Sequence, residues 1–159
     1  RVAEHLEALG VEGFLVEIGG EVRARGRNPR GEPWVVGVED PDGPPLAALR
    51  AVRLDGRAAA TSGSYRNAFA HAGRSYAHVI DPRSGEPVEH DAVAVTVVAD
   101  TATEADALAT ALMVLGPDEG LRWASSQRLA VHMLLRSADG AASLSTPQFD
   151  ALCVPPRNR

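Results

Sequence analysis

Lysine is absent from this 159-residue chain, whose sixteen basic residues are all arginine. No Schiff-base lysine and no P-loop lysine can therefore come from within it. Cysteine is almost as scarce. Cys153 stands alone near the C-terminus, so neither an internal disulfide nor a multi-thiolate metal site can form, and the redox compartment stays undetermined. The five histidines (His5, His71, His78, His90, His132) show no metal-ligand spacing, which argues against zinc. No apolar run approaches the roughly 18 residues of a membrane span, and no signal-peptide pattern is visible. Positive charge is not in excess. Twenty-one acidic residues give a net charge of −5, against the positive surface that non-specific nucleic-acid binding requires.

What is present is an ordinary globular composition, 45% hydrophobic and 23% charged, long enough for one domain with a real core. The chain opens at Arg1 rather than Met, already in a helical pattern of Val2, Leu6 and Leu9 that Gly10 stops. Such an opening reads as the remainder of a longer N-terminus. Strand patterns follow at 14–18, 21–26, 34–38, 46–54, 57–61, 76–80, 93–99 and 129–136. Asp55-Gly56 reads as a tight hairpin, Tyr65–His71 as a short helix and 40–45 as a loop. Thr101 followed by Glu104 is a capping-box signature for a helix over 102–115. Gly116-Pro117 ends it, and a second helix spans 118–126. The last twenty residues have no clear pattern. Hairpin-linked strands with segregated helices predict an α+β domain, an antiparallel β-sheet with helices packed against it.

Four segments carry candidate chemistry. Asp106 and Thr110 lie four apart, on one helix face near its N-terminus. A carboxylate beside a hydroxyl offers hard oxygen ligands suited to Mg²⁺; the alternative is a solvated Asp and a Thr bonding back to the helix. His78 and Asp81 bracket a strand end before Pro82-Arg83-Ser84-Gly85, a turn that can present backbone N–H groups to a phosphate or a polar ring edge. Equally, His78 packs in a core and Asp81 only caps the turn. Thr61-Ser62-Gly63-Ser64 supplies hydroxyls and a side-chain-free approach, or else a bulge. A Ser62/His78 nucleophile is disfavoured, since no Gly-x-Ser-x-Gly elbow is present. Gly19-Gly20-Glu21 is a hairpin turn or a pocket wall. Arg23, Arg25, Arg27 and Arg30 form a solvated strip.

Taken in order, these pieces resemble the ApbE-type FAD:protein FMN transferases. The resemblance rests on Ile18-Gly19-Gly20-Glu21, Trp34, Pro41, Ala60-Thr61-Ser62-Gly63-Ser64-Tyr65 and His78-Val79-Ile80-Asp81-Pro82-Arg83-Ser84-Gly85-Glu86-Pro87. It continues through Val95-Thr96-Val97 and Ala105–Leu112, ending in Leu115-Gly116, and so covers Arg1 to about Leu135. It implies an ApbE, T-fold-like domain in which 1–159 form the C-terminal part, the N-terminal half of the family being absent. The activity implied is Mg²⁺-dependent transfer of FMN from FAD to a Thr or Ser hydroxyl of a partner flavoprotein, releasing AMP. Alternatives are an FAD pyrophosphatase and an inactive FAD- or protein-binding fragment. Carried over, Asp106 and Thr110 are metal ligands, and His78 assists proton removal from the acceptor or positions the flavin. Ile80 and Asp81 lie against FAD, and Gly20, Glu21, Ser62 and Gly63 form the pocket wall. The chain departs from the family at Ala109, where a second Asp is usual, at Glu21 for Asp and at Ser84 for Thr. The same resemblance suggests the bacterial periplasm or an inner-membrane lipoprotein, with the cytoplasm as the alternative.

Overall fold

The computed structural model describes residues 1–40, 48–64, 69–71, 74–76, 78–137 and 140–155. Its spine is β10, Ala92–Ala99, in which Ala92 and every residue from Ala94 to Val98 are buried. A strand of alanine and valine interrupted only by Thr96, with buried residues on both faces, is central and covered on both sides. β5 (Ala58–Gly63) and β11 (Ala130–Ser137) flank it, both antiparallel. Beyond them lie β2 (Glu21–Arg25), β1 (Phe14–Ile18) and β12 (Gly140–Ser145), giving the sheet order β1-β2-β5-β10-β11-β12. Every pairing in this sheet is antiparallel, as the α+β reading requires.

One face is covered by α2, Ala102–Ser126. Its buried stripe of Ala105, Ala109, Leu112 and Met113 recurs at helical spacing, and the stripe from Ala109 onward packs on Val95, Val97, Val131 and Met133. Burying each large side chain of this kind contributes about 1.5–3 kcal/mol. Thr101 caps the helix as its sequence requires, its Oγ1 accepting from the Glu104 N–H at 3.1 Å. At Gly116 the helix kinks, with φ 76° and ψ −179°, and Pro117 follows. Proline has no N–H for the carbonyl of Met113 four residues back. His90 Nε2 occupies that carbonyl instead, at 2.7 Å, while its Nδ1 accepts from the Ala92 N–H at 3.3 Å. The two helices expected at 102–115 and 118–126 are thus one element broken by Gly116-Pro117.

The opposite face is closed by β3 (Val35–Glu39), β4 (Ala48–Arg53) and the short α3 (Pro147–Asp150). Val38, Val52, Leu54, Phe149 and Leu152 meet Ala24, Ala59, Val98 and Ala130 there. α1 (Val2–Ala8) lies outside this core with none of its residues buried. Among the described residues no helix is long and apolar enough to cross a membrane.

Four local expectations change. Asp55-Gly56 forms a tight turn with φ 42° and 78° and an Arg57 N–H to Leu54 carbonyl bond of 2.8 Å. Yet no β4–β5 hairpin results, because β4 pairs with β3 while β5 inserts between β2 and β10; the turn carries the chain from one layer to the next. In the expected helix at 65–71, residues 65–68 lie outside the described set. Residues 69–71 are strand β6 (Phe69–His71), paired with β7 (Arg74–Tyr76). So short a helix is marginal, and a neighbouring strand satisfies the backbone better. The strand expected over 76–80 is split, since β7 ends at Tyr76 and β8 (Ile80–Asp81) pairs with β9 (Glu86–Pro87). The unpatterned tail contains β12 and α3. Of the loop expected at 40–45, residues 41–45 fall outside the described set.

Candidate functional site

The sheet leaves a gap beside β5. β2 reaches only Ala58 and Ala59 of it, so the outer edge of Ala60–Gly63 carries no ladder partner among the described residues. Over that edge stands the β1–β2 turn, Gly19 and Gly20 at φ 70° and 107°, its Gly20 N–H held by Glu17 Oε1 at 2.9 Å. Only glycine adopts these angles cheaply. Here a cleft of ≈ 600 Å³ opens, bounded by the β1–β2 turn, the end of β5, the first turns of α2 and the β3–β4 pair.

Gly20, Ser62, Gly63, His78, Asp106 and Thr110 all line this one cleft. Six residues singled out from four separate stretches of sequence therefore converge. Asp106 and Thr110 are exposed on the same face of α2, because Ala105 and Ala109 take the buried stripe. His78 is exposed while Val79 beside it is 8% exposed, which rules out the core-packed alternative for this histidine. Glu21, Ile80 and Asp81 are placed elsewhere. Glu21 faces an adjoining groove between α1, β2 and the α2 N-terminus, which Asp106 also borders. Ile80 is 46% exposed. Asp81 organises its turn, accepting from the Arg83 N–H at 2.8 Å, with the Gly85 N–H on its carbonyl at 2.8 Å. Arg83 holds the Asp81 carboxyl below its usual range through side-chain and backbone hydrogen bonds. Arg83 also reaches Glu119 at 3.3 Å, tying the turn to α2.

Three of the four arginines of the strip have partners within the chain. Arg23 donates to the Gly56 carbonyl, Arg25 pairs with Glu7 at 2.8 Å, and Arg27 donates to the Gly31 carbonyl at 3.1 Å.

Two polar cleft residues escape recognition by local pattern, Thr96 and His132, whereas Thr61 belongs to the hydroxyl-bearing stretch already singled out. Thr96 and His132 sit inside apolar strands, where a lone polar residue looks incidental. A polar residue on a strand buried on both faces was the available signal.

The donors at Asp106 and Thr110 are hard oxygens, and two protein ligands leave positions for water and phosphate oxygens, as Mg²⁺ prefers. No group of three or more His, Cys, Asp or Glu capable of holding a metal occurs among the described residues. The pair thus fits a cation shared with a phosphorylated ligand rather than one caged by protein.

Fold and cleft together define an α+β domain with a ligand-sized site at an open sheet edge, oxygen donors at one end and small residues along its walls. The ApbE family model matches residues 1–135, and the chain belongs to that family. It is 41% identical over 160 residues to an FAD:protein FMN transferase of Escherichia coli (strain K12), covering 98% of this chain and 46% of the relative. A second FAD:protein FMN transferase, from Haemophilus influenzae, is 41% identical over 153 residues, covering 96% and 44%. Among solved structures, the Pseudomonas stutzeri flavinyl transferase ApbE in its apo form superposes with a TM-score of 0.82 at 46% identity, over 95% of this chain and 46% of that one. The chain spans about half the length of the curated relatives it matches.

Proposed function

We propose that this chain supplies the metal-side half of an FAD:protein FMN transferase site, moving FMN from FAD to a Thr or Ser hydroxyl of a partner flavoprotein. The observation that carries this reading is the convergence of Asp106, Thr110, His78, Ser62 and Gly63 on one cleft, in a chain whose relatives bear that name. Asp106 and Thr110 would hold Mg²⁺, which neutralises pyrophosphate charge when bound. In the transfer, the acceptor oxygen bonds to the FMN phosphorus, the pyrophosphate P–O bond breaks, and AMP leaves. The acceptor proton passes to His78. An acceptor that is itself a protein must approach from solvent, so a base serving it belongs at the mouth of the cleft, and His78 is exposed there. Gly63 and Gly20 keep the walls free of side chains where the ligand enters. Export to the bacterial periplasm belongs to the same proposal, and cell fractionation would read it.

The test is AMP release from FAD and Mg²⁺ by the chain, with Asp106→Ala beside it and an acceptor flavoprotein present. AMP from the unmutated chain alone, with covalent flavin on the acceptor, supports the reading. Free FMN without covalent flavin assigns a pyrophosphatase instead. Equal AMP from both proteins sinks the metal assignment. No AMP from either shows that these residues do not complete the site.

A further inference from the structure

Gly116-Pro117 does more than interrupt α2. Before the break, the Met113 carbonyl lacks its helical N–H, because Pro117 has none to give. After it, Pro117 opens a new first turn that contains Asp118 and Glu119, where proline and carboxylates both suit a helix N-terminus. The break therefore supplies two attachment points that a continuous helix would not offer, a carbonyl on one side and a first-turn carboxylate on the other.

One segment takes both. The β8–β9 hairpin is rooted by Val79 in the core beneath α2, and the Val88 N–H donates to the Val79 carbonyl at 3.0 Å. Its strands pair Ile80 with Pro87 and Asp81 with Glu86. At the tip, Arg83 bridges two carboxylates, with Nη2 on Asp81 Oδ2 at 2.8 Å and Nη1 on Glu119 Oε2 at 3.3 Å. Beyond the hairpin, His90 donates from Nε2 to the Met113 carbonyl at 2.7 Å. Between these two fastenings the hairpin stands off the helix. A groove of ≈ 540 Å³ runs there, lined by Ser84, Glu86 and Pro87 on one side and by Val114 and Leu115 on the other. With little apolar surface buried across the groove, polar bonds rather than packing set the place of the tip. Two parts of the cleft are joined through this arrangement. His78 directly precedes Val79 at the root of the hairpin, while Thr110 lies one turn before Met113 and Asp106 two turns before it.

We propose that the break in α2 is a mount for the β8–β9 hairpin, and that Glu119 and His90 are positioning residues that fix His78 against the Asp106–Thr110 face through it. The part His78 plays in catalysis rests on the transferase reading, whereas the mount rests on the geometry above. Neither Glu119 nor His90 lines the cleft, so each acts through the hairpin and not on a ligand.

The experiment follows amide hydrogen exchange and the His78 imidazole resonances by NMR in the chain, Glu119→Gln, His90→Ala and His90→Gln, with His78→Ala to assign the ring. AMP release from FAD and Mg²⁺ is measured on the same proteins. Glu119→Gln is expected to leave urea stability nearly unchanged, since an exposed ion pair contributes little, yet to speed exchange at the Gly85 and Val88 amides about threefold. His90→Ala should speed it about tenfold, and His90→Gln, whose amide can still donate to Met113, should recover part of the protection. In Glu119→Gln and His90→Ala the His78 resonances shift, and kcat falls with KM kept. A merely structural pair would lower urea stability and leave the His78 resonances in place. Exchange at Gly85 and Val88 unchanged by both variants overturns the mount, and faster exchange with His78 and kcat unmoved overturns the positioning role. His78 resonances that move with the mount in a chain that never releases AMP remove the transferase reading and leave the proposal standing. AMP release abolished by Asp106→Ala but indifferent to Glu119 and His90 does the reverse.

Discussion

Acidification probes His132 most directly. Desolvation by burial pushes this imidazole from 6.5 down to about 4; the charge of Arg50 adds to the shift and that of Asp150 opposes it. The histidine is neutral in the folded protein at pH 5–6 but takes a proton once the chain unfolds. The unfolded state thus binds more protons in this window, and stability rises with pH there. Its contribution is fully present above pH 6.5 and is lost as the pH falls toward 4. Each pH step costs up to about 1.4 kcal/mol, with a ceiling of about 3 kcal/mol across the window after allowance for screening and relaxation. Carboxylates titrate nearby, so the informative quantity is the difference between the chain and His132→Leu. Urea unfolding at pH 7.5, 6.5, 5.5 and 4.5 should show the chain losing stability faster than the variant, by about 1–3 kcal/mol in total. Parallel slopes would show that His132 is not held neutral by the fold and would refute the reasoning.

Three further substitutions test the scaffold that presents the cleft. Thr101→Ala removes the cap on the Glu104 N–H and should cost about 1 kcal/mol in chemical denaturation; because the frayed turn leads into Asp106, the AMP release proposed for this site should weaken as well. His90→Ala leaves the Met113 carbonyl without the donor that replaces the absent Pro117 N–H, a loss of about 1–3 kcal/mol. A Cβ at Gly116 would stand 2.9 Å from His90 Cδ2. Gly116→Ala should therefore be less damaging in the His90→Ala background than alone, leaving only the positive-φ strain, and a double-mutant cycle by urea unfolding reads the coupling.

The outer shape of the site follows from secondary-structure arithmetic. Asp106 and Thr110 can only face outward once Ala105 and Ala109 face the sheet. The glycine turn at 19–20 and the Asp81 turn are likewise local events, written in neighbouring residues. Which of these features share a cleft is another matter, because it depends on β2 stopping short along β5 and on β3–β4 folding across the far face.

Residues i, i+3 and i+4 settle a helix, and a Thr three before a Glu settles its start, so 102–115, the capping threonine, the break at Gly116-Pro117 and the strand over 93–99 were legible in the sequence by itself. So was the oxygen-donor pair, since helix periodicity places it. Tertiary structure alone decided that Asp55-Gly56 joins two layers rather than two paired strands, that the tail yields β12 and α3, and that Thr96 and His132 stand side by side. Strand pairing joins residues tens of positions apart, and a polar residue in an apolar strand takes its meaning from the strand beside it. His132 reads as scattered along the chain; only the register of β10 against β11 sets it at the floor of a cleft, because a sheet's chemistry is written across its strands and a sequence runs along them.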